Sequence, residues 1–208
     1  MTAYIVCGAP GDHIPDHIAK GVLVIGVDRG ALNLIEAGIA PDVAIGDFDS
    51  VTDSDRKLIQ DKAGSFIQLP LEKDNTDAFA AVEYARSQGV TDVRLFGAIG
   101  GRMDHNQGAL GMMLHYAKQG LSISSEDEKN RLRIFTPGSK RIIALHRYIS
   151  FFALEGEVTN FTVSDVKYPL EGYTLRPDDA LCISNEPLRG SVPFSFDSGH
   201  LLVITSDD

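Results

Sequence analysis

The sequence contains no tryptophan and only two cysteines, Cys7 and Cys182, in 208 residues. So few thiols exclude a disulfide-built scaffold, and their placing within strand-like apolar runs reads as two buried, reduced side chains. Basic residues are also scarce: 19 Lys and Arg stand against 29 Asp and Glu, a formal net charge of −10. That balance excludes a nucleic-acid binder, which needs a basic face to neutralise phosphates, and disfavours an anionic membrane surface equally. No apolar run reaches the ~20 residues of a membrane-spanning helix. The stretch 1–7 lacks the charged region and long apolar core of a signal peptide and reads as a first strand, so a cytoplasmic protein is expected.

What is present is enough apolar residue, 43%, to build one large domain or two modest ones. Across residues 1–121 short apolar runs near 4–7, 22–27, 43–45, 66–69 and 93–96 alternate with helical patterns near 29–37, 54–62, 77–87 and 106–118. Ala78, Phe79, Ala81, Val82 and Ala85 keep helical spacing, and Gly89 stands where a C-terminal cap belongs. Alternation of this kind predicts an α/β domain: a parallel, Rossmann-like sheet with covering helices. Over residues 122–208 the helical period is lost. Short β-branched or aromatic runs near 134–135, 141–145, 149–154, 158–163, 180–183, 192–196 and 201–205 predict an antiparallel β-sandwich. The polar stretch 124–130 reads as a hairpin turn near the join.

Three polar clusters follow expected strands: Gly46-Asp47-Phe48-Asp49-Ser50, Lys73-Asp74-Asn75-Thr76-Asp77, and residues 97–105 with Gly100, Gly101, Arg102, Asp104 and His105. In parallel sheets ligands bind beyond the carboxyl ends of the strands, where all three clusters fall. Asp47 and Asp49, two apart on near-extended backbone, share a face and repel unless a cation separates them. A solvated turn explains the same pentapeptide. Asn75 or Thr76 suits an N-cap with Asp77 in the first turn, and such an N-terminus also receives phosphate, with Lys73 as a point charge. The glycines of 97–101 allow close backbone approach, with Arg102 free to fork onto a phosphate or to pair with Asp104. No Walker loop and no GxGxxG fingerprint occurs. Of the six histidines, His13, His17, His115, His146 and His200 have no partner at metal-ligand spacing, His105 stands apart only through its neighbours, and no Ser/His/Asp or Cys/His set stands out. Carboxylates beside Lys and Arg fit a metal-bound polyphosphate, which leaves open a phosphoryl-type transferase, a phosphohydrolase, a sugar or nucleotidyl transferase using Asp-x-Asp, or a binding module.

In order, these pieces resemble the thiamine pyrophosphokinase family. Val27-Asp28-Arg29-Gly30-Ala31 is similar to its Asp-Gly-Gly-Ala segment, and Pro41-Asp42 with 46–50 to its Pro-Asp…Gly-Asp-x-Asp-Ser run. Residues 73–77 match Lys-Asp-x-Thr-Asp and 97–105 match Gly-x-x-Gly-Gly-Arg-x-Asp-His. Val166-Lys167-Tyr168-Pro169-Leu170 and Ile183-Ser184-Asn185 resemble the late motifs.

The resemblance implies a catalytic domain over 1–121 that binds ATP and Mg²⁺, and a thiamine-binding β-sandwich over 122–208. It implies a homodimer with a shared thiamine cleft. The implied reaction moves pyrophosphate from ATP to the hydroxyl of thiamine, giving thiamine diphosphate and AMP. Asp47, Asp49 and Asp77 would hold Mg²⁺, with Asp28 and Asp74 near it. Lys73, Thr76 and Arg102 would contact phosphate, with Gly30, Gly101 and His105 also on the ATP side. Asp104, Ser184 and Asn185 would contact thiamine, Asp104 being the candidate base. Two departures stand out: Arg29 replaces a glycine, and the missing tryptophan leaves any aromatic cover over thiamine to Phe or Tyr.

Overall fold

The computed structural model describes residues 1–9, 14, 15 and 17–208; His13 lies outside them. The chain divides into two compact units, Met1–Tyr116 with Leu121–Glu128, and Ala117–Gly120 with Lys129–Asp208.

In the first unit the expected apolar runs become β1 (Thr2–Val6), β2 (Leu23–Val27), β3 (Val43–Gly46), β4 (Ser65–Gln68) and β5 (Asp92–Phe96). Every pairing is parallel, and the order is β4-β3-β2-β1-β5-β6, where β6 spans Ser122–Glu126. Ala3, Ile5, Val6, Ile25, Val43 and Ala44 are almost wholly buried, as strands covered on both faces require. The order reverses beside β1: the chain steps outward to β4, then returns to lay β5 against β1. Such a reversal opens a crevice at the carboxyl ends of the strands.

The sequence reading of 124–130 as a hairpin turn is corrected for 124–126, which belong to β6; residues 127–129 do connect it to the next strand. Ser124 and Ser125 are buried at 4% and 2% exposure within β6, which pairs with β5. Its serines find partners inside the protein: Ser122 Oγ donates to Asp92 Oδ1 (2.6 Å) and Ser124 Oγ to Glu126 Oε1 (3.3 Å). Polar composition therefore conceals a buried strand.

Helices α1 (Arg29–Glu36), α2 (Asp53–Lys62), α3 (Asp77–Ser87) and α4 (Met103–Ala117) follow β2, β3, β4 and β5. Thr52 starts α2 through a capping box with Asp55, and Lys62 lies in the last turn, favourable to the helix dipole at that end. Thr76, rather than Asn75, caps α3: its Oγ1 accepts from the Phe79 N–H at 3.3 Å. Helix α4 begins three residues before the expected start, and Asn106, inside it, reaches back to the preceding loop, its Oδ1 accepting from the Gly100 N–H at 2.8 Å.

The second unit is antiparallel: β7 (Asn130–Phe135), β8 (Gly138–Ile143), β9 (Tyr148–Val163), β10 (Leu170–Leu175), β11 (Ser191–Phe196) and β12 (Ser198–Ser206). The runs read as two strands, 149–154 and 158–163, form the single β9. Its first half pairs with β12 and its second with β10 and β11. The change of partner falls near Glu155, at φ 61°, and Gly156. Phe151, Phe161, Phe194, Phe196, Leu201 and Val203 join one buried core. Strand β10 was not expected, and 180–183 is turn rather than strand. Asp179 Oδ2 accepts there from the Arg176 N–H (2.8 Å) and the Tyr173 hydroxyl (3.2 Å), closing the chain locally. Cys7 and Cys182 are buried and free.

Candidate active site

Asp28, Asp47 and Asp77 leave the carboxyl ends of β2 and β3 and open α3, respectively, and converge. One carboxylate oxygen from each lies within 4.8 Å of the others. Lys73 bridges two of them: its Nζ is 2.6 Å from Asp47 Oδ2 and 3.0 Å from Asp77 Oδ1, and it donates to the Pro70 carbonyl at 3.1 Å. Asp77 Oδ1 is buried and takes no well-aligned hydrogen bond despite that ammonium. A cluster of hard oxygen donors, one lacking a hydrogen-bond partner, suits a hard divalent cation such as Mg²⁺.

The backbone holds this geometry in uncommon conformations. Asp28 takes φ 48° at the start of α1, and its side chain does not cap that helix. Its Oδ1 instead accepts from the Phe48 N–H at 3.0 Å. Phe48 itself takes φ 57°, with its ring buried and stacked on Phe66 at 4.5 Å between centroids. The near-extended backbone expected between Asp47 and Asp49 is therefore corrected: β3 stops at Gly46 and the chain turns at Phe48. The two acids still lie side by side, since the Asp49 N–H donates to Asp47 Oδ1 at 3.2 Å. Gly46 is required because the Asp28 carboxylate occupies the space its Cβ would need. Gly30 is required because a Cβ there would meet the Val6 carbonyl. Arg29, beside it, is exposed.

Electrostatics follow from this crowding. Burial pushes the Asp28 carboxyl up to about 6, against the lowering effect of the Phe48 N–H and with the charges of Asp77 and Asp47 adding to the rise. Burial also raises Asp47, but the bonds from Lys73 and the Asp49 amide outweigh it and hold that carboxyl below the usual range. The charge of Asp47 raises Asp49. Burial, with the charges of Asp28 and Asp77 adding to it, pushes the Cys7 thiol up to about 12, so it is no nucleophile at neutral pH.

The remaining expected residues have settings of their own. Asp74 is exposed. Arg102 and Asp104 pair with each other through two bonds, Nε to Oδ1 at 3.1 Å and Nη2 to Oδ2 at 2.5 Å. That pair holds the Asp104 carboxyl down to about 2. Gly101 has φ 68°, and His105 is exposed, its backbone N–H donating to Asp104 Oδ1. In the second unit Ser184 takes φ 57°, its N–H donating to Ser150 Oγ at 2.9 Å. The Asn185 side chain is engaged by backbone: Oδ1 accepts from the Tyr168 and Glu186 N–H groups, and Nδ2 donates to the Tyr168 carbonyl. Sequence reasoning missed the obligatory Gly46, the left-handed Phe48 and the Asn106–Gly100 bond. No spacing signals them, because each depends on a partner from another element or on a turn.

Comparison with known proteins finds relatives along the whole chain. The family model described as "Thiamin pyrophosphokinase, catalytic domain" matches residues 15–125, and "Thiamin pyrophosphokinase, vitamin B1 binding domain" matches 135–201. A curated protein of Bacillus subtilis, "Thiamine pyrophosphokinase", is 36% identical over 212 residues, covering 100% of this chain and 99% of its own length. The crystal structure of the enzyme of that name from Bacillus subtilis superposes with a TM-score of 0.93 at 36% identity, each chain covered completely. That from Geobacillus thermodenitrificans gives 0.89 at 37%, covering 100% of this chain and 98% of the other. The Candida albicans enzyme, at 14% identity and TM-score 0.78 over 99% of this chain and 89% of its own, shares the fold. With two family models placed in order and full-length relatives above 30% identity, the chain belongs to the thiamin pyrophosphokinase family.

Proposed function

We propose that the chain transfers pyrophosphate from ATP to the hydroxyl of thiamine, giving thiamine diphosphate and AMP, at the three-carboxylate centre. The observation that carries this reading is the convergence of Asp28, Asp47 and Asp77, with Lys73 bridging the last two, at the carboxyl ends of a parallel sheet. Asp47 and Asp77 belong both to the expected metal set and to this cluster. Asp28 completes the cluster, with Asp49 beside Asp47 and Asp74 further out. Bound Mg²⁺ would neutralise the phosphate oxygens and stabilise AMP as leaving group.

The chain's own residues do the rest. Lys73, Thr76 at its helix N-terminus and Arg102 bind phosphate, with the Gly30 and Gly101 backbones and His105 on the ATP side. The thiamine hydroxyl oxygen attacks the β-phosphorus, and the bond from that phosphorus to the bridging oxygen of the α-phosphate breaks. The oxygen departs with AMP, and the hydroxyl proton is lost to solvent, since Arg102 holds Asp104 too acidic to be an effective acceptor. Transfers of this type depend on in-line placing and charge neutralisation rather than on covalent catalysis. Asp104, Ser184 and Asn185 mark the thiamine side, Asn185 through the Tyr168 segment that it grips.

In this reading the parallel-sheet unit, which extends past the expected boundary at 121 to take in β6 (Ser122–Glu126), is a Rossmann-like catalytic domain, and the antiparallel strands from Lys129 to Asp208 form a thiamine-binding β-sandwich. The working form is a cytoplasmic homodimer with a shared cleft. The test is to supply protein with MgATP and thiamine and identify both products. AMP with thiamine diphosphate is expected; ADP with thiamine monophosphate, or ATP turnover indifferent to thiamine, would overturn it.

A further inference from the structure

The peptide joining Asp47 to Phe48 is held at both edges. Its N–H, on Phe48, donates to Asp28 Oδ1 at 3.0 Å, and its carbonyl, on Asp47, accepts from Gln68 Nε2 at 2.9 Å. A peptide is planar, so two bonds at opposite edges fix its rotation and with it ψ of Asp47 and φ of Phe48. That φ is 57°, a conformation a non-glycine residue keeps only where its surroundings over-determine it.

Gln68 is placed for this grip by the sheet: it closes β4, in register with Gly46, one residue before Asp47. The Leu69 N–H donates to the Gly46 carbonyl at 2.8 Å just beyond. Its amide is oriented from α2, where Arg56 Nη2 donates to Gln68 Oε1 at 2.6 Å. A guanidinium only donates, so Arg56 draws the amide oxygen and leaves Nε2 to face Asp47. The same Nε2 lies 3.3 Å from the Leu69 carbonyl. Neither Gln68 nor Arg56 falls in any of the six family-like motifs.

We infer that Gln68, oriented by Arg56, is a positioning residue for the three-carboxylate centre, setting the Asp47–Phe48 peptide so that the Asp47 carboxylate meets those of Asp28 and Asp77. This rests on the reading of that centre as a cation site. The test uses Mn²⁺ as probe, titrated into the full chain without nucleotide and followed by the paramagnetic resonance of free Mn²⁺. Gln68→Met keeps the side-chain length but loses the donor. It should weaken Mn²⁺ binding about two- to tenfold, the range of one net hydrogen bond. The Mg²⁺ concentration for half-maximal turnover should rise by a like factor, with KM for thiamine unchanged. Arg56→Met, made in wild type and in Gln68→Met, closes a double-mutant cycle. The charge lost with Arg56 cancels between its two arms, and a residual coupling is expected. Wild-type Mn²⁺ affinity in Gln68→Met would overturn the inference and leave the cation site standing. So would a lowered Tm at unchanged affinity, which marks a structural brace alone, or an additive cycle. Failure of the wild-type protein to bind Mn²⁺ would overturn both readings.

Discussion

The Asp28 carboxylate fills the space that a Cβ on Gly46 would occupy. A residue that ends one strand is thus chosen by an acid that ends its neighbour. Gly46→Ala must drive Asp28 away from the Phe48 N–H and out of the cluster. The expected cost is about 1–3 kcal/mol of stability, with turnover falling about 100-fold, as for a displaced reacting group. Thermal melting and steady-state rates check it; near-normal turnover would refute the placing of Asp28.

Asp28 also predicts a pH dependence. Its carboxyl is ordinary in the unfolded chain, at 3.8, and is raised to about 6 in the folded one. Between those values the folded state binds more protons, so this group's contribution to stability falls as pH rises from about 4 to about 6. Asp28→Asn should remove that fall and, in chelator, melt higher than wild type at pH 7. Melting curves from pH 4 to 7 that run parallel for both proteins would refute the assignment.

Lys73 neutralises Asp47 and Asp77 when no other cation is present. In Lys73→Met those half-buried acids face each other unpaired, at an expected cost of about 1–3 kcal/mol. Added Mg²⁺ should restore much of the lost Tm while turnover stays low. A Tm loss of equal size in chelator and in Mg²⁺ would show that the ammonium and the metal do not share these oxygens.

Asp49 is exposed, and its carboxyl is raised by its neighbour Asp47. Asp49→Asn relieves that repulsion, so Tm should hold or rise slightly while turnover is abolished. Retained activity in Mg²⁺ would remove Asp49 from the reaction and leave Asp28 as the third acid of the site.

Gly108 and Gly111 lie inside α4 with open space where a Cβ would stand. Replacing each by Ala should stabilise the helix by up to ~1 kcal/mol, raising Tm by about 2–4 °C per kcal/mol for a chain of this size. A lowered Tm would mean that this face is covered in solution.

The alternating pattern of the first half set out the parallel strands and their helices, because buried strands and amphipathic helices differ in apolar period. The order of the motifs, read by resemblance, carried the family, since Asp, Lys and Gly at those spacings mark strand ends whatever the packing around them. Where polar residues were buried, the reading failed: Ser124 and Ser125 lie in a strand because β5 and nearby side chains satisfy them, a fact absent from local composition. The site divided in the same way. Sequence alone named Asp28, Asp47, Asp49, Lys73 and Asp77. Only the tertiary structure decided that Asp28 joins Asp47 and Asp77, that Phe48 turns left-handed between two acids, and that Gly46 and Gln68 hold the turn. Those outcomes depend on hydrogen bonds, charge and excluded volume between residues about 20 or more apart in the chain, and no local spacing encodes them.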